Sequence, residues 1–155
     1  EVPRSRIARP HGKRFGVLVH ALLAEVPLGE TYDDESLPLL ARSFARGLGA
    51  TVDEVDAAIE TARTALGHDV FRRALRSGDV RREVTVTQTR ADGSLLEGVV
   101  DLVFLDEDGT YVVVDYKTDL DVTPRLASYE AQVALYGAAI RDATGHKVRG
   151  VVLVV

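Results

Sequence analysis

The sequence VVVDYKTD, residues 112–119, places three valines directly before an aspartate, a tyrosine and a lysine. Side chains alternate between the two faces of a strand, so we expect Asp115 and Lys117 to share one face and Tyr116 to lie on the other. Charged groups inside an apolar strand are costly to bury unless they are paired or bind a ligand. This stretch therefore indicates a buried strand that ends in a polar functional site.

The alternating pattern extends on both sides of this stretch. Residues 81–89, 95–105 and 110–119 are rich in Val, Thr and Leu, and the turn sequences ADGS and DEDG separate them. This pattern predicts a three-stranded antiparallel meander. A helical pattern over 124–145 follows, and the chain closes with KVRGVVLVV, an apolar strand that we expect to be buried on both faces.

Helices are predicted before the meander, because apolar residues recur there at intervals of three and four. The second of these helices is expected to be opened by Asp33 or Asp34, and Pro38 indicates that its regular part starts near Leu37. The third is expected to begin after Thr51, with Glu54 completing a capping box. The predicted helical ranges are 13–26, 33–49, 51–67 and 68–78.

The predicted order is a helix, a helical insert, three strands, a helix and a strand. This order defines the α/β class (α+β mixed) with a mixed sheet. A length of 155 residues suits one domain. We expect a basic arm at 1–12, a helical insert at 30–78, and the catalytic sheet and helix at 79–155. The sequence has no starting Met, so we expect it to be an excised domain of a longer protein.

Composition excludes several classes of site. The chain has no Cys, which excludes disulfides, thiolate zinc sites, iron–sulfur clusters and cysteine nucleophiles. No apolar run approaches the roughly 18 residues of a membrane span, and there is no signal-peptide core. The sequence contains no P-loop and no G-x-S-x-G elbow, so neither an ATP site nor a serine nucleophile is expected. We therefore expect a cytoplasmic protein without a membrane partner.

Charge is unevenly distributed along the chain. The formal net charge of -5 argues against a polyanionic partner, yet residues 4–14 and 71–82 are basic, whereas residues 25–60 are acidic. Each basic segment is either a solvated surface or a contact for a nucleic-acid backbone. Lys13 and Arg14 are the candidate substrate contacts of the first segment.

A second acid is expected beside Asp115. Asp101 lies inside the preceding apolar strand, and a hairpin that closes around DEDG brings these two aspartates near each other. Adjacent carboxylates repel unless a cation lies between them, and hard carboxylate oxygens suit Mg²⁺ or Mn²⁺. With Lys117 to stabilise negative charge, the group predicts metal-assisted hydrolysis of a phosphodiester. The alternative remains that both acids cap turns and that Lys117 is their ion-pair partner.

Four short motifs resemble, in order, those of PD-(D/E)XK nuclease domains of the RecB and AddA type. They are GVLVH at 16–20, GVVD at 98–101, VVVDYKTD at 112–119 and QVALY at 132–136. The resemblance extends from Lys13 to the C-terminus. It implies a restriction-endonuclease-like core and a nuclease that works at the C-terminal end of a bacterial helicase–nuclease processing DNA breaks.

The resemblance implies a role for each matching residue. Asp101 and Asp115 would be metal ligands with His20 and the backbone carbonyl of Tyr116, and Lys117 would be the catalytic lysine. Gln132 and Tyr136 would line the site and contact substrate, and Glu83 on the first strand is a looser match to a glutamate of the family. On its own, His20 would more often be a core histidine, and the Gln132–Tyr136 pair would better suit helix packing. Glu83 equally suits an ordinary surface position.

The resemblance also implies partners and an activity. The substrate would be DNA, as single strands or duplex ends, cleaved by a Mg²⁺- or Mn²⁺-dependent exonuclease. Helicase domains elsewhere in the parent chain or complex would supply the ATP-driven motion, in the bacterial cytoplasm at the nucleoid. Two alternatives stay open: a non-catalytic DNA-binding or scaffolding domain, and another PD-(D/E)XK nuclease such as a restriction enzyme or a resolvase.

Overall fold

The computed structural model describes residues 10–155, so positions 1–9 of the predicted basic arm lie outside the described residues. Helices precede a three-stranded meander, which a further helix and strand follow, and this mixed α/β order confirms the predicted class. The elements are α1 Lys13–Glu25, α2 Ser36–Leu48, α3 Val52–Leu66, α4 Asp69–Arg76, β1 Val80–Thr89, β2 Leu95–Leu105, β3 Tyr111–Lys117, α5 Leu126–Thr144 and β4 Val148–Val154. None of the helices within this described range is long and apolar enough to cross a membrane.

The chain divides into two compact units. Among the described residues, the first contains 10–75 together with Lys117–Val122 and Val154–Val155, and it holds α1 to α4. The second contains Arg76–Tyr116 and Thr123–Leu153, and it holds α5 and most of the sheet. A single domain over 1–155 stays a prediction.

In the first unit, α1 supplies the central apolar face. Its buried side chains recur at helical spacing, and α1 packs against α2 and α3. Burying each large apolar side chain contributes roughly 1.5–3 kcal/mol. The residues that α1 buries are Phe15, Leu18, Val19, Leu22 and Leu23.

The two predicted helix starts had different outcomes. Thr51 Oγ1 accepts the Glu54 N–H at 3.2 Å and Glu54 Oε2 accepts the Thr51 N–H at 2.8 Å, so the capping box of α3 is confirmed. The prediction that Asp33 or Asp34 opens α2 is wrong, whereas the helix begins at Ser36, one residue before the predicted start of its regular part near Leu37. Asp33 Oδ1 instead accepts the N–H of Glu35 at 3.1 Å, and this Asx-type turn uses the carboxylate before the helix begins.

The sheet has the strand order β1-β2-β3-β4, and its first three strands are paired antiparallel, which confirms the meander. The Tyr111 N–H donates to the Lys147 carbonyl at 2.9 Å, and the Val155 N–H donates to the Lys117 carbonyl at 2.9 Å. Both chains advance together between these bonds, so β4 runs parallel to β3. The sheet is therefore mixed, and α5 is the crossover between its parallel strands.

The prediction that β4 is buried on both faces is wrong. Arg149 and Gly150 are exposed, and Leu153 is the residue of β4 that is buried, with an exposure of 6%. Within the described residues β4 pairs with β3 and has no second neighbour in the strand order. This apolar run therefore forms an edge strand. Valine favours strands in general, so a run of valines does not indicate that both faces of the strand are buried.

The second unit has its own apolar core between α5 and the sheet. Strand valines meet one face of α5, which places the helix over the meander. The cluster comprises Val86, Val100, Val103, Val113, Val133, Tyr136 and Ile140. This packing fixes which side chains of α5 face the strands that carry the predicted acids.

Asp79 receives two hydrogen bonds at the start of β1. The Tyr111 hydroxyl donates to Asp79 Oδ2 at 2.7 Å, and Arg81 Nε donates to Asp79 Oδ1 at 3.0 Å. These bonds, that of Tyr111 first, hold the pKa of Asp79 below its ordinary value of 3.8. The ionised form of Asp79 is therefore favoured in the folded state.

Tyr111→Phe is expected to lower the free energy of unfolding by about 1 kcal/mol at neutral pH, because a hydrogen bond to a charged carboxylate is lost. Asp79 has a lowered folded pKa, so its stabilisation is complete above the unfolded pKa and is lost as pH falls through the folded value. Urea unfolding at about pH 7 and at about pH 3 should therefore show a smaller variant effect in acid. An equal effect at both pH values would contradict this linkage.

Candidate active site

The register of β2 and β3 brings the two predicted acids to adjacent positions. Leu102 lies opposite Val114 and Val103 lies opposite Val113. Continuing this register by one residue places Asp101 opposite Asp115. Both side chains are buried, with exposures of 7% and 4%. The two acids therefore occupy neighbouring strands at the end of the ladder.

A hydrogen bond joins these two strands beside Asp115. The Tyr116 N–H donates to Asp101 Oδ2 at 2.6 Å. This N–H belongs to the peptide bond that follows Asp115, so the Asp101 carboxylate touches β3 next to the second acid. The register of β2 relative to β3, which sets the residue opposite Asp115, could not be predicted because no short sequence pattern determines it.

Glu83 on β1 lies in line with Asp101 and Asp115, so the three acids form a row across neighbouring strands. Arg82 pairs with Leu102 and Val84 pairs with Val100, so Glu83 occupies the position opposite Asp101, where the β1–β2 ladder is interrupted. Glu83 has a φ of 52°, the left-handed region that residues with a side chain seldom adopt. Such irregular backbone in a strand re-aims side chains and is common near functional sites. No pattern in the sequence indicated this conformation.

The negative charges of Asp101 and Glu83 act on the buried Tyr116 side chain. Burial raises the pKa of the Tyr116 hydroxyl well above its ordinary value, and the negative charge of Asp101 raises it further. Arg82 lowers it, and Glu83 raises it by a smaller amount. The hydroxyl therefore stays neutral, and Asp101 and Glu83 are both close enough for their charges to act on one ring.

The helix α5 contributes the predicted Gln132–Tyr136 pair. Gln132 Nε2 donates to the Tyr136 hydroxyl at 2.8 Å. The Tyr136 ring is buried and lies against Gly98 of β2, the strand that carries Asp101. The pair is thus joined internally and packed on β2.

Lys117 and His20 belong to the first unit, whereas both aspartates belong to the second. Lys117 is the last residue of β3, two positions after Asp115 in the chain. His20 is half-buried on α1. Within the first unit, a Cβ on Gly16 would lie 2.9 Å from Thr118 Oγ1. The glycine of the G-x-x-x-H motif therefore lets α1 approach the segment that follows Lys117.

The predicted substrate contacts at the start of α1 have different surroundings. Lys13 is exposed, whereas Arg14 Nη2 pairs with Glu54 Oε2 at 2.9 Å. In the second basic segment, Arg72, Arg76 and Arg81 pair with Asp69, Glu107 and Asp79. Contact with substrate stays a prediction for all of these side chains.

The donor chemistry suits a hard divalent cation. Residues 10–155 contain no group of three or more His, Asp or Glu side chains arranged to hold a metal ion. Mg²⁺, however, is usually held by one or two carboxylates together with waters and substrate phosphates. Asp101, Asp115 and the main-chain carbonyl of Tyr116 offer oxygen donors of that kind. The residues present therefore fit Mg²⁺ or Mn²⁺.

Two acids lie on adjacent strands of a mixed sheet, a lysine follows the second acid by two residues, and a helix crosses the sheet. This arrangement is the one expected of a nuclease domain. A family model described as the PD-(D/E)XK nuclease superfamily matches residues 3–154. The chain belongs to this superfamily, and its mixed sheet and helices are consistent with the restriction-endonuclease-like fold.

Curated relatives are each named as one subunit of an ATP-dependent helicase/nuclease. One from Carboxydothermus hydrogenoformans is 34% identical over 71% of this chain and 9% of its own length. One from Geobacillus thermodenitrificans is 34% identical over 82% of this chain and 12% of its own. One from Lysinibacillus sphaericus is 25% identical over 92% of this chain and 13% of its own. The chain thus spans about a tenth of the length of these relatives.

Proposed function

We propose that this chain is a DNA nuclease domain that hydrolyses phosphodiester bonds with the help of Mg²⁺ or Mn²⁺. The hydrogen bond from the peptide that follows Asp115 to the Asp101 carboxylate carries this proposal, with a length of 2.6 Å. It holds two buried acids on neighbouring strands, and such acids repel unless a cation lies between them. Membership of a nuclease superfamily supports the same reaction.

Asp101, Asp115 and the carbonyl of Tyr116 would hold the cation. His20 joins them in the proposal on the strength of its motif alone. A divalent cation held by these residues would supply Lewis acidity, which would neutralise charge on the scissile phosphate and make water a better nucleophile. The glutamate in the same row, Glu83, is proposed to contribute to the acidic site.

Lys117 would act on the substrate through its charge. Its ammonium group follows Asp115 by two residues in β3 and is proposed to stabilise the negative charge that develops on the phosphate in the transition state. Gln132 would bind the DNA through its amide, and Tyr136 would hold that amide in place. The first turn of α1, with Lys13 and Arg14, is proposed to contact the DNA backbone.

The names of the relatives suggest the setting in which this domain works. They are subunits of enzymes called helicase/nuclease, and we propose that the chain is the exonuclease part of such an enzyme in DNA break repair and recombination. Its partners would be DNA ends and the helicase domains of a parent protein, in the bacterial cytoplasm. Residues 1–155 would act together as one nuclease domain.

Metal removal tests this proposal. The purified chain is expected to degrade an end-labelled single-stranded oligonucleotide with Mg²⁺ or Mn²⁺, and chelation should slow the reaction by at least about 100-fold. Added Mg²⁺ or Mn²⁺ should restore the rate. A circular single strand of matched composition is the control for end-directed cleavage. Binding of DNA without cleavage under any metal would favour the scaffolding alternative, and cleavage that is insensitive to chelation would contradict metal dependence.

A further inference from the structure

Gly98 of β2 lies unusually close to an aromatic ring. A Cβ built on Gly98 would approach Cε1 of Tyr136, and it would lie 2.8 Å from the hydroxyl oxygen and 2.9 Å from Cζ. These distances are shorter than real carbon contacts, so any side chain at position 98 would displace the ring. Tyr136 has an exposure of 7% and packs in the core cluster of the second unit. The ring therefore has little room to move away.

The backbone conformation at position 98 does not itself require glycine. Its φ is outside the left-handed region, which among the glycines of the described residues contains Gly12, Gly49, Gly93, Gly109 and Gly145. Glycine within a strand is less favourable than alanine, because it loses more conformational freedom on folding. A strand glycine often marks a close approach of another group. The contact with Tyr136 is such an approach.

The position of the Tyr136 ring determines the position of a polar group. The Tyr136 hydroxyl accepts the hydrogen bond from Gln132 Nε2 at 2.8 Å. The terminal torsion of a glutamine is broad, so an amide without such a bond samples many orientations. Gln132 is half-buried, and this bond restricts the orientation of its amide. Moving the ring would change the position of the amide.

We infer that Gly98 is a positioning residue for DNA binding, which acts through the Tyr136 ring on the Gln132 amide. The inference rests on the proposed function. Gly98 lies three residues before Asp101 on β2, so the contact sets Gln132 relative to the strand that carries a proposed metal ligand. A displaced amide would lose its hydrogen bond to the DNA, which weakens binding and leaves the reacting groups in place.

Gly98→Ala and Gly78→Ala form a matched pair for the test. Gly78 belongs to the same unit, and a Cβ there meets nothing within 4 Å. Gly98→Ala is expected to raise KM for a labelled single-stranded oligonucleotide about tenfold, the effect of one lost hydrogen bond of about 1.4 kcal/mol, with kcat nearly unchanged. Mn²⁺ affinity should stay at the wild-type value, because the acids are untouched. Gly78→Ala should leave all three quantities unchanged.

A double-variant cycle separates positioning from a general structural effect. Gln132→Ala is expected to raise KM as Gly98→Ala does, and Gly98→Ala/Gln132→Ala should raise it no further. Effects that multiply would overturn the inference, since the two residues would then act independently. A Gly98→Ala variant with the KM of wild type would overturn it as well.

If Gly98→Ala does not fold, a double variant still tests the inference. In Gly98→Ala/Tyr136→Leu the shorter side chain relieves the contact, so cooperative unfolding in urea should return while KM stays raised. Recovery of the wild-type KM would overturn the inference. A wild-type chain that neither binds nor cleaves the oligonucleotide would overturn the proposed function and this inference together. If wild type cleaves the oligonucleotide and Gly98→Ala has the same KM as wild type, the inference about Gly98 is overturned and the proposed function stands.

Discussion

Asp115→Asn is expected to lower the rate of DNA cleavage by about 10³-fold or more, because the buried site loses one of the two charges that would hold the cation. The change keeps the shape of the side chain, which has an exposure of 4%. Without metal it removes repulsion between neighbouring acids, so the free energy of unfolding should stay equal or rise slightly. Single-turnover cleavage and urea unfolding measure these two effects.

Asp92→Asn is the control for Asp115→Asn. Asp92 lies in the exposed turn between β1 and β2, where its Oδ1 accepts the N–H of Ser94 at 2.9 Å. Asparagine keeps that acceptor, so cleavage and stability should match wild type. Titration with Mn²⁺ should show weaker binding in Asp115→Asn and unchanged binding in the control. Wild-type cleavage by Asp115→Asn would remove the acid pair from the proposed mechanism.

Lys117→Ala is expected to lower kcat by about 10²–10³-fold while KM for DNA changes little, because the ammonium group is proposed to act on charge that develops in the transition state. Steady-state cleavage at saturating Mg²⁺ measures this split. Mn²⁺ affinity should not fall, because a cation is removed and no ligand is lost.

Lys147→Ala is the matched control, since Lys147 precedes β4 with an exposed side chain. It should cleave DNA like wild type. An equal loss in both lysine variants would point to a general effect of charge on DNA binding. A raised KM with unchanged kcat in Lys117→Ala would assign that lysine to substrate binding.

Local patterns predicted local structure well. The capping box of Thr51 and Glu54 depends on residues three apart, and the turn at Gly145 depends on a residue that adopts a φ of 73° readily. The prediction that Asp33 or Asp34 opens α2 was wrong, because Asp33 suits two local motifs equally well, a cap and an Asx turn. Pro38 located the start of the regular helix to within one residue. The prediction that β4 is buried on both faces was wrong, because the burial of a strand face depends on which other elements pack against it. The sequence of the strand itself does not determine that packing.

The order of elements and the identity of the two acids could be read from the chain alone, because alternation and helical spacing depend on near neighbours in sequence. Which residues meet was settled by tertiary packing. It placed Asp101 against the peptide after Asp115, Glu83 in the same row, and the Tyr136 ring against Gly98. These contacts depend on strand register and on how α5 packs, and both result from many weak contacts between distant residues, which no short stretch of sequence contains.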